Sequence, residues 1–136
     1  MARCAAESGL LAFETLAQLA TELQDRGLLL KSAAILLSSA RPLPDLEKIL
    51  ASHALIHTAE GEFFRQAFRS AFEKLKIPVV GIRARDLHDS AAKAFGKSAS
   101  AIQKRIDAMG RSLGAPWTKD EKTASLAAAI VLASAR

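Results

Sequence analysis

The sequence predicts an α/β domain with an N-terminal β-meander, a βαβ unit, and C-terminal helices packed on the sheet. Three observations carry that expectation. The short apolar run Ala54–Thr58 breaks into His57-Thr58-Ala59-Glu60-Gly61. It is followed at once by an amphipathic segment, Glu62–Leu75, with Phe64, Ala67, Phe68, Ala71, Phe72 and Leu75 at helical spacing. Pro78 then opens a second apolar run, Val79–Ile82, and strand, helix, strand with short links implies a parallel pair. The last third reads as helices that end in an almost wholly small or apolar stretch, Ala124–Ala133.

Taken in order, the first forty residues read two ways. Leu16, Leu19, Ala20 and Leu23 fall at helical spacing, with Ser8 as a start and Gly27 as a stop. The rival is the meander, with strands at Arg3–Glu7, Leu10–Leu16 and Leu28–Leu37 and a turn at Asp25-Arg26-Gly27. Arg41-Pro42-Leu43-Pro44 is a stiff connector. A short helix, Asp45–Ala51, follows it, with Leu46, Ile49 and Leu50 as the buried stripe. Ala54–Thr58 is the strand of the βαβ unit. After Val79–Ile82, a helix over Asp86–Phe95 stops at Gly96, and Ser98 caps the next, whose Ile102, Ile106 and Met109 share a face. Gly110–Trp117 is a loop. Thr118, with Glu121 three residues on, has the capping-box spacing that starts the final helix.

A chain of 136 residues, half of them hydrophobic, is long enough for one core-forming domain, taken as residues 1–136. Nineteen Lys and Arg against fourteen Asp and Glu give a net charge of +5. That balance favours a polyanionic partner, nucleic acid above all. The single cysteine, Cys4, excludes an internal disulfide and fits a reducing cytoplasm. No uncharged apolar run approaches about eighteen residues, so no membrane span is expected.

Three constellations carry chemistry. The acids Glu7, Glu60, Asp120 and Glu121 lie near expected element ends. Carboxylates gathered from remote positions can hold Mg²⁺, a hard cation that takes oxygen ligands and activates water. The blander reading gives Asp120 and Glu121 to the first turn of a helix, where acids complement the dipole. His53 and His57 would share a face as zinc ligands do only if the segment were a helix, and the strand reading sets that aside. The basic set is Arg65, Arg69, Lys74, Lys76, Arg83, Arg85, Lys97, Lys104, Arg105 and Arg111, which fits a surface that tracks a phosphate backbone as well as an ordinary solvated face. With no Tyr and one Trp, stacking-based reading of single strands is not expected. Trp117 reads as a core plug.

In its order of elements the chain resembles the ribonuclease H-like superfamily, and within it the Holliday-junction resolvase branch. The matching pieces are Ala6-Glu7-Ser8-Gly9-Leu10, Ala54–Glu60, Pro78–Asp86, and Lys119-Asp120-Glu121 leading into Leu126-Ala127-Ala128-Ala129. The resemblance implies a metal-dependent nuclease acting on structured or junction nucleic acid. Glu7, Glu60 and Asp120 would be catalytic, and with Glu121 they would bind Mg²⁺ or Mn²⁺. Arg65, Arg69, Arg83, Arg85 and Lys119 would contact nucleic acid, DNA ahead of RNA, with a homodimer as the assembly considered. The chain departs from the family pattern in having Glu7 where an Asp is usual and Thr123 a turn after Asp120. Those departures leave open a binding module of the same fold without catalysis, or, should residues 9–26 be helical, a mainly helical regulatory protein.

Overall fold

The structure, a computed structural model, describes residues 2–38 and 42–134. Helix α1 spans Ala2–Asp25, β1 Ala33–Leu37, α2 Leu46–Leu50, α3 His53–Lys74, β2 Val79–Arg83, α4 Leu87–Phe95, α5 Ala99–Leu113 and α6 Lys119–Ser134. About 74% of the described residues are helix and 8% strand.

The α/β, ribonuclease H-like expectation is overturned. That fold rests on a larger mixed sheet, whereas β1 and β2 form a two-stranded parallel sheet by themselves. Two segments account for the difference, and in the first, the opening residues, the helical alternative holds over the meander. All three expected meander strands fall on described residues, and the first two are parts of α1. Gly27, at φ 74°, ends the helix as a Schellman stop: the Gly27 N–H donates to the Gln24 carbonyl, and Leu28 N–H to Leu23, both at 2.9 Å. Of the third strand, only Ala33–Leu37 forms.

The second segment is Ala54–Thr58, expected as a strand, which is the beginning of α3. Ser52 caps that helix, its hydroxyl accepting from the Leu55 N–H. The Thr58 hydroxyl donates back to the Ala54 carbonyl at 2.9 Å, a bond open to a β-branched polar residue in a helix but not in a strand. Leu55, Ile56, Thr58 and Ala59 are half-buried, at helical spacing. Glu60 and Gly61 therefore lie inside a helix and not at a strand edge. The stiff connector lies partly outside the described residues, at Arg41.

Two compact units form, each with its own apolar cluster. The first comprises residues 2–30, 38 and 42–79, in which α1 packs on α3 and α2 leans on α3. Its cluster is small: Ala12, Leu16 and Ala71 are buried, with Phe13, Ala67, Phe72 and Leu75 packed around them. The expected stripe of α3 is thus only half used, because Phe64 is 57% and Phe68 41% exposed. Leu46 and Leu50 of α2 are likewise exposed, against expectation.

The second unit comprises residues 31–37 and 80–134. Here α6 buries Leu126, Ala127, Ile130 and Val131, adjacent pairs one turn apart that form one stripe. That stripe meets Ile82 of β2, Leu87 and Ala91 of α4, and Ile106 of α5, with Ala34 and Leu36 of β1 packed against the cluster. The expected end of α4 at Gly96 (φ 53°) and the packing of the last helix against the sheet are both present. Helix α5 runs to Leu113, three residues beyond the expected start of the loop at Gly110, and Gly114 at φ 82° ends it. No helix among the described residues is long and apolar enough to cross a membrane.

Candidate nucleic-acid interface

The charges of the chain separate between the units. Among the described residues, the first unit holds seven Lys and Arg against nine Asp and Glu, a balance of −2. The second holds ten against five, a balance of +5. The whole positive excess of the described chain therefore belongs to the unit built from β1, β2 and α4–α6.

Helix α5 shows how the sequence sets those cations on one surface. Ile106 is buried and Ile102 half-buried, which fixes the inner face. At 100° per residue, Lys104 and Arg111 fall opposite Ile106, seven positions apart and about 10 Å along the axis. Lys97, in the turn before the helix, continues the row, and Arg105 stands beside it. All four are exposed, and among the described residues none has a carboxylate within ion-pair distance. Exposed unpaired cations keep their full charge for a partner, and the apolar inner face anchors the helix that carries them.

A cavity of about 330 Å³ lies among α4, α5 and α6. Leu87 and Leu126 form its apolar part, and His88, Gln103, Lys119, Lys122 and Thr123 its polar lining. Lys122 reaches Asp107 of α5 at 3.8 Å, and Gln103 donates to the same carboxylate at 3.2 Å. The first turn of α6 is closed on itself. Glu121 accepts from both the backbone N–H and the hydroxyl of Thr118, each at 2.6 Å, and the Thr118 hydroxyl accepts from the Asp120 N–H at 3.3 Å. The predicted capping box is therefore present. Those hydrogen bonds, from the Thr118 side chain first and its backbone next, hold the Glu121 carboxyl below the usual carboxylate range.

The other predicted site residues have local partners. Glu7 is exposed on α1 and pairs with Arg3 at 2.9 Å. Glu60, two turns into α3, accepts from the His57 ring at 3.0 Å. Asp120 and Glu121 lie in the first turn of α6, in the other unit. Among the described residues, no group of three or more His, Cys, Asp or Glu is placed to hold a metal ion. Arg65 lies along α3, bonded to Glu62 and stacked over Gly61; Arg69 is half-buried on the same helix. Arg83 ends β2 and Arg85 pairs with Asp86. Of the five expected nucleic-acid contacts, Arg83, Arg85 and Lys119 thus belong to the basic unit, and Arg65 and Arg69 to the other.

His88, Gln103, Lys122 and Thr123 were not legible as a group, because only the packing of three helices brings them to one cavity. No protein-family model, curated protein or solved structure matches the chain.

Proposed function

We propose that the protein binds nucleic acid through its second unit, as a helical module that tracks the phosphate backbone. The supporting observation is the segregation of charge, with +5 on that unit and Lys97, Lys104, Arg105 and Arg111 exposed and unpaired along α5. Cations of this kind gain affinity by releasing condensed counterions from the polymer, so binding is steep in salt and nearly indifferent to sequence.

The experiment is a salt titration of binding to a short fluorescent DNA duplex, with a junction of the same arms alongside. Four phosphate contacts give a slope of log K against log salt of about −3 to −4, and Lys104→Gln with Arg111→Gln lowers its magnitude by about 2. Salt-independent binding, or a double variant with unchanged slope, would overturn the reading. The same mixtures in Mg²⁺ or Mn²⁺ test hydrolysis directly. Intact strands are expected of a binding module. Cleavage that disappears in Glu60→Gln would establish the nuclease instead.

A further inference from the structure

The first turns of α3 hold a pair of imidazoles that the nucleic-acid reading does not use. His53 and His57 are one turn apart on one exposed face, and their Nε2 atoms converge to 3.0 Å. The rings meet edge to face, at 79° and 4.4 Å between centres. On its far side, His57 Nδ1 stands 3.0 Å from the Glu60 carboxylate. A carboxylate accepts and does not donate, so Nδ1 of His57 carries the proton and its Nε2 presents a lone pair toward His53. In a metal site, this is the arrangement in which an outer carboxylate fixes the tautomer and orientation of a ligating histidine.

We infer that His53 and His57 form a bidentate site for a first-row divalent transition ion, with Glu60 as the positioning residue behind His57. Metal–imidazole bonds of about 2.0–2.1 Å put two neighbouring nitrogens of one ion roughly 2.9–3.35 Å apart. The 3.0 Å contact, in which the Nε2–H of His53 donates to the His57 lone pair, already brings the two rings to that spacing. The Nε2 atoms are too close for a metal to lie between them in line. An ion would sit to one side and take the place of that proton, with His53 shifting to its Nδ1–H tautomer. Two protein ligands leave the remaining positions to water or to a donor from another molecule. His57 is 63% exposed at the side chain, so those positions open to solvent.

The same spacing made the pair conditional on a helix in the sequence, and α3 supplies that helix. No third protein ligand is required. Glu60 acts through His57 and does not itself reach the ion, consistent with the lack of any three-residue group placed for a metal among the described residues.

The test is calorimetric titration of the full chain with Ni²⁺, chosen because the exposed thiol of Cys4 would reduce Cu²⁺. One equivalent of Ni²⁺ is expected. His53→Ala and His57→Ala should each weaken Ni²⁺ binding at least tenfold, and Glu60→Gln by about tenfold through loss of the oriented ring. His88→Ala, on α4, should bind as the parent does. Circular dichroism of each variant checks that α3 persists, since an exposed histidine contributes little to the fold. Absence of saturation by about 1 mM Ni²⁺ would overturn the site. So would retention of parental affinity in either the His53 or the His57 variant.

Discussion

The indole Nε1 of Trp117 donates to the carbonyl of Ile106 at 2.9 Å, and the ring lies where a side chain at Gly110 would go. A Cβ at Gly110 would stand 2.6 Å from Cδ1, 2.7 Å from Cγ and 2.8 Å from Cβ of Trp117. Those atoms form the base of the side chain, which cannot swing aside as a flexible tip can. Gly110 is thus explained by packing, although it lies inside α5, where alanine is the better helix former by about 1 kcal/mol.

Gly110→Ala should therefore destabilise the protein. Overpacking costs about 1–3 kcal/mol, and the lost Trp117 hydrogen bond adds to it, outweighing the helix-propensity gain. The melting temperature should fall by roughly 4–10 °C. Gly81→Ala is the contrast. Its added methyl meets Leu37 Cδ1 at 2.8 Å, the far end of a side chain that can rotate, so a change within about 1 kcal/mol is expected. Equal effects of the two substitutions would show that the indole is not fixed.

The capping box of α6 gives a second pair of tests. Thr118→Ala removes the hydroxyl that accepts from the Asp120 N–H and should cost about 1 kcal/mol in a urea titration. The pH dependence follows from Glu121, whose carboxyl is held below its usual value of 4.5 by its bonds from Thr118. A carboxyl with a lowered folded value stabilises fully above the unfolded value, and the contribution is lost as pH falls through the folded value. Glu121→Gln should therefore melt below the parent at pH 7 and converge with it as the pH falls below 4.5. A gap that stayed constant in acid would place the effect outside the carboxylate.

That box was legible because it is local: an acceptor and a carboxylate three residues apart carry their own geometry. The stops at Gly27 and Gly96 were legible for the same reason, since both have the positive φ that glycine favours. Ala54–Thr58 was not. A five-residue apolar run fits either period, and the deciding bonds, Ser52 to Leu55 and Thr58 to Ala54, do not show in a hydrophobic pattern. From that one run came the strand-edge Glu60 and the expected βαβ unit. The charge segregation was illegible for a different reason. It appears only when residues 31–37 join residues 80–134 in one unit.

The two clusters predict unequal costs of truncation. Leu126, 2% exposed, is enclosed by side chains from β2, α4, α5 and its own helix. Leu126→Ala should cost about 3–5 kcal/mol, near the top of the range for buried leucines. Leu16, 7% exposed, shares its cluster with just two other buried residues, the small Ala12 and Ala71, with half-buried side chains around them. Such a site collapses more readily, so Leu16→Ala should cost nearer 2 kcal/mol. Chemical denaturation of both variants measures the difference. A larger loss at Leu16 would mean that the α1–α3 contact is the better packed of the two.

Asp107 supplies the last test, one that separates stability from binding. Its carboxylate takes a 3.8 Å contact from Lys122 and a hydrogen bond from Gln103, both at the surface. Exposed pairs of this length contribute about 0–1 kcal/mol, so Asp107→Asn should leave the melting temperature almost unchanged. Its effect on affinity should be larger. Asp107 lies three residues after Lys104 and four before Arg111, neighbouring positions on the helix surface, where its negative charge offsets the field of both. Removing it should tighten DNA binding several-fold at low salt, with the gain shrinking as the screening length falls to about 8 Å at physiological ionic strength. Weaker binding by Asp107→Asn would mean that nucleic acid does not run along this face of α5.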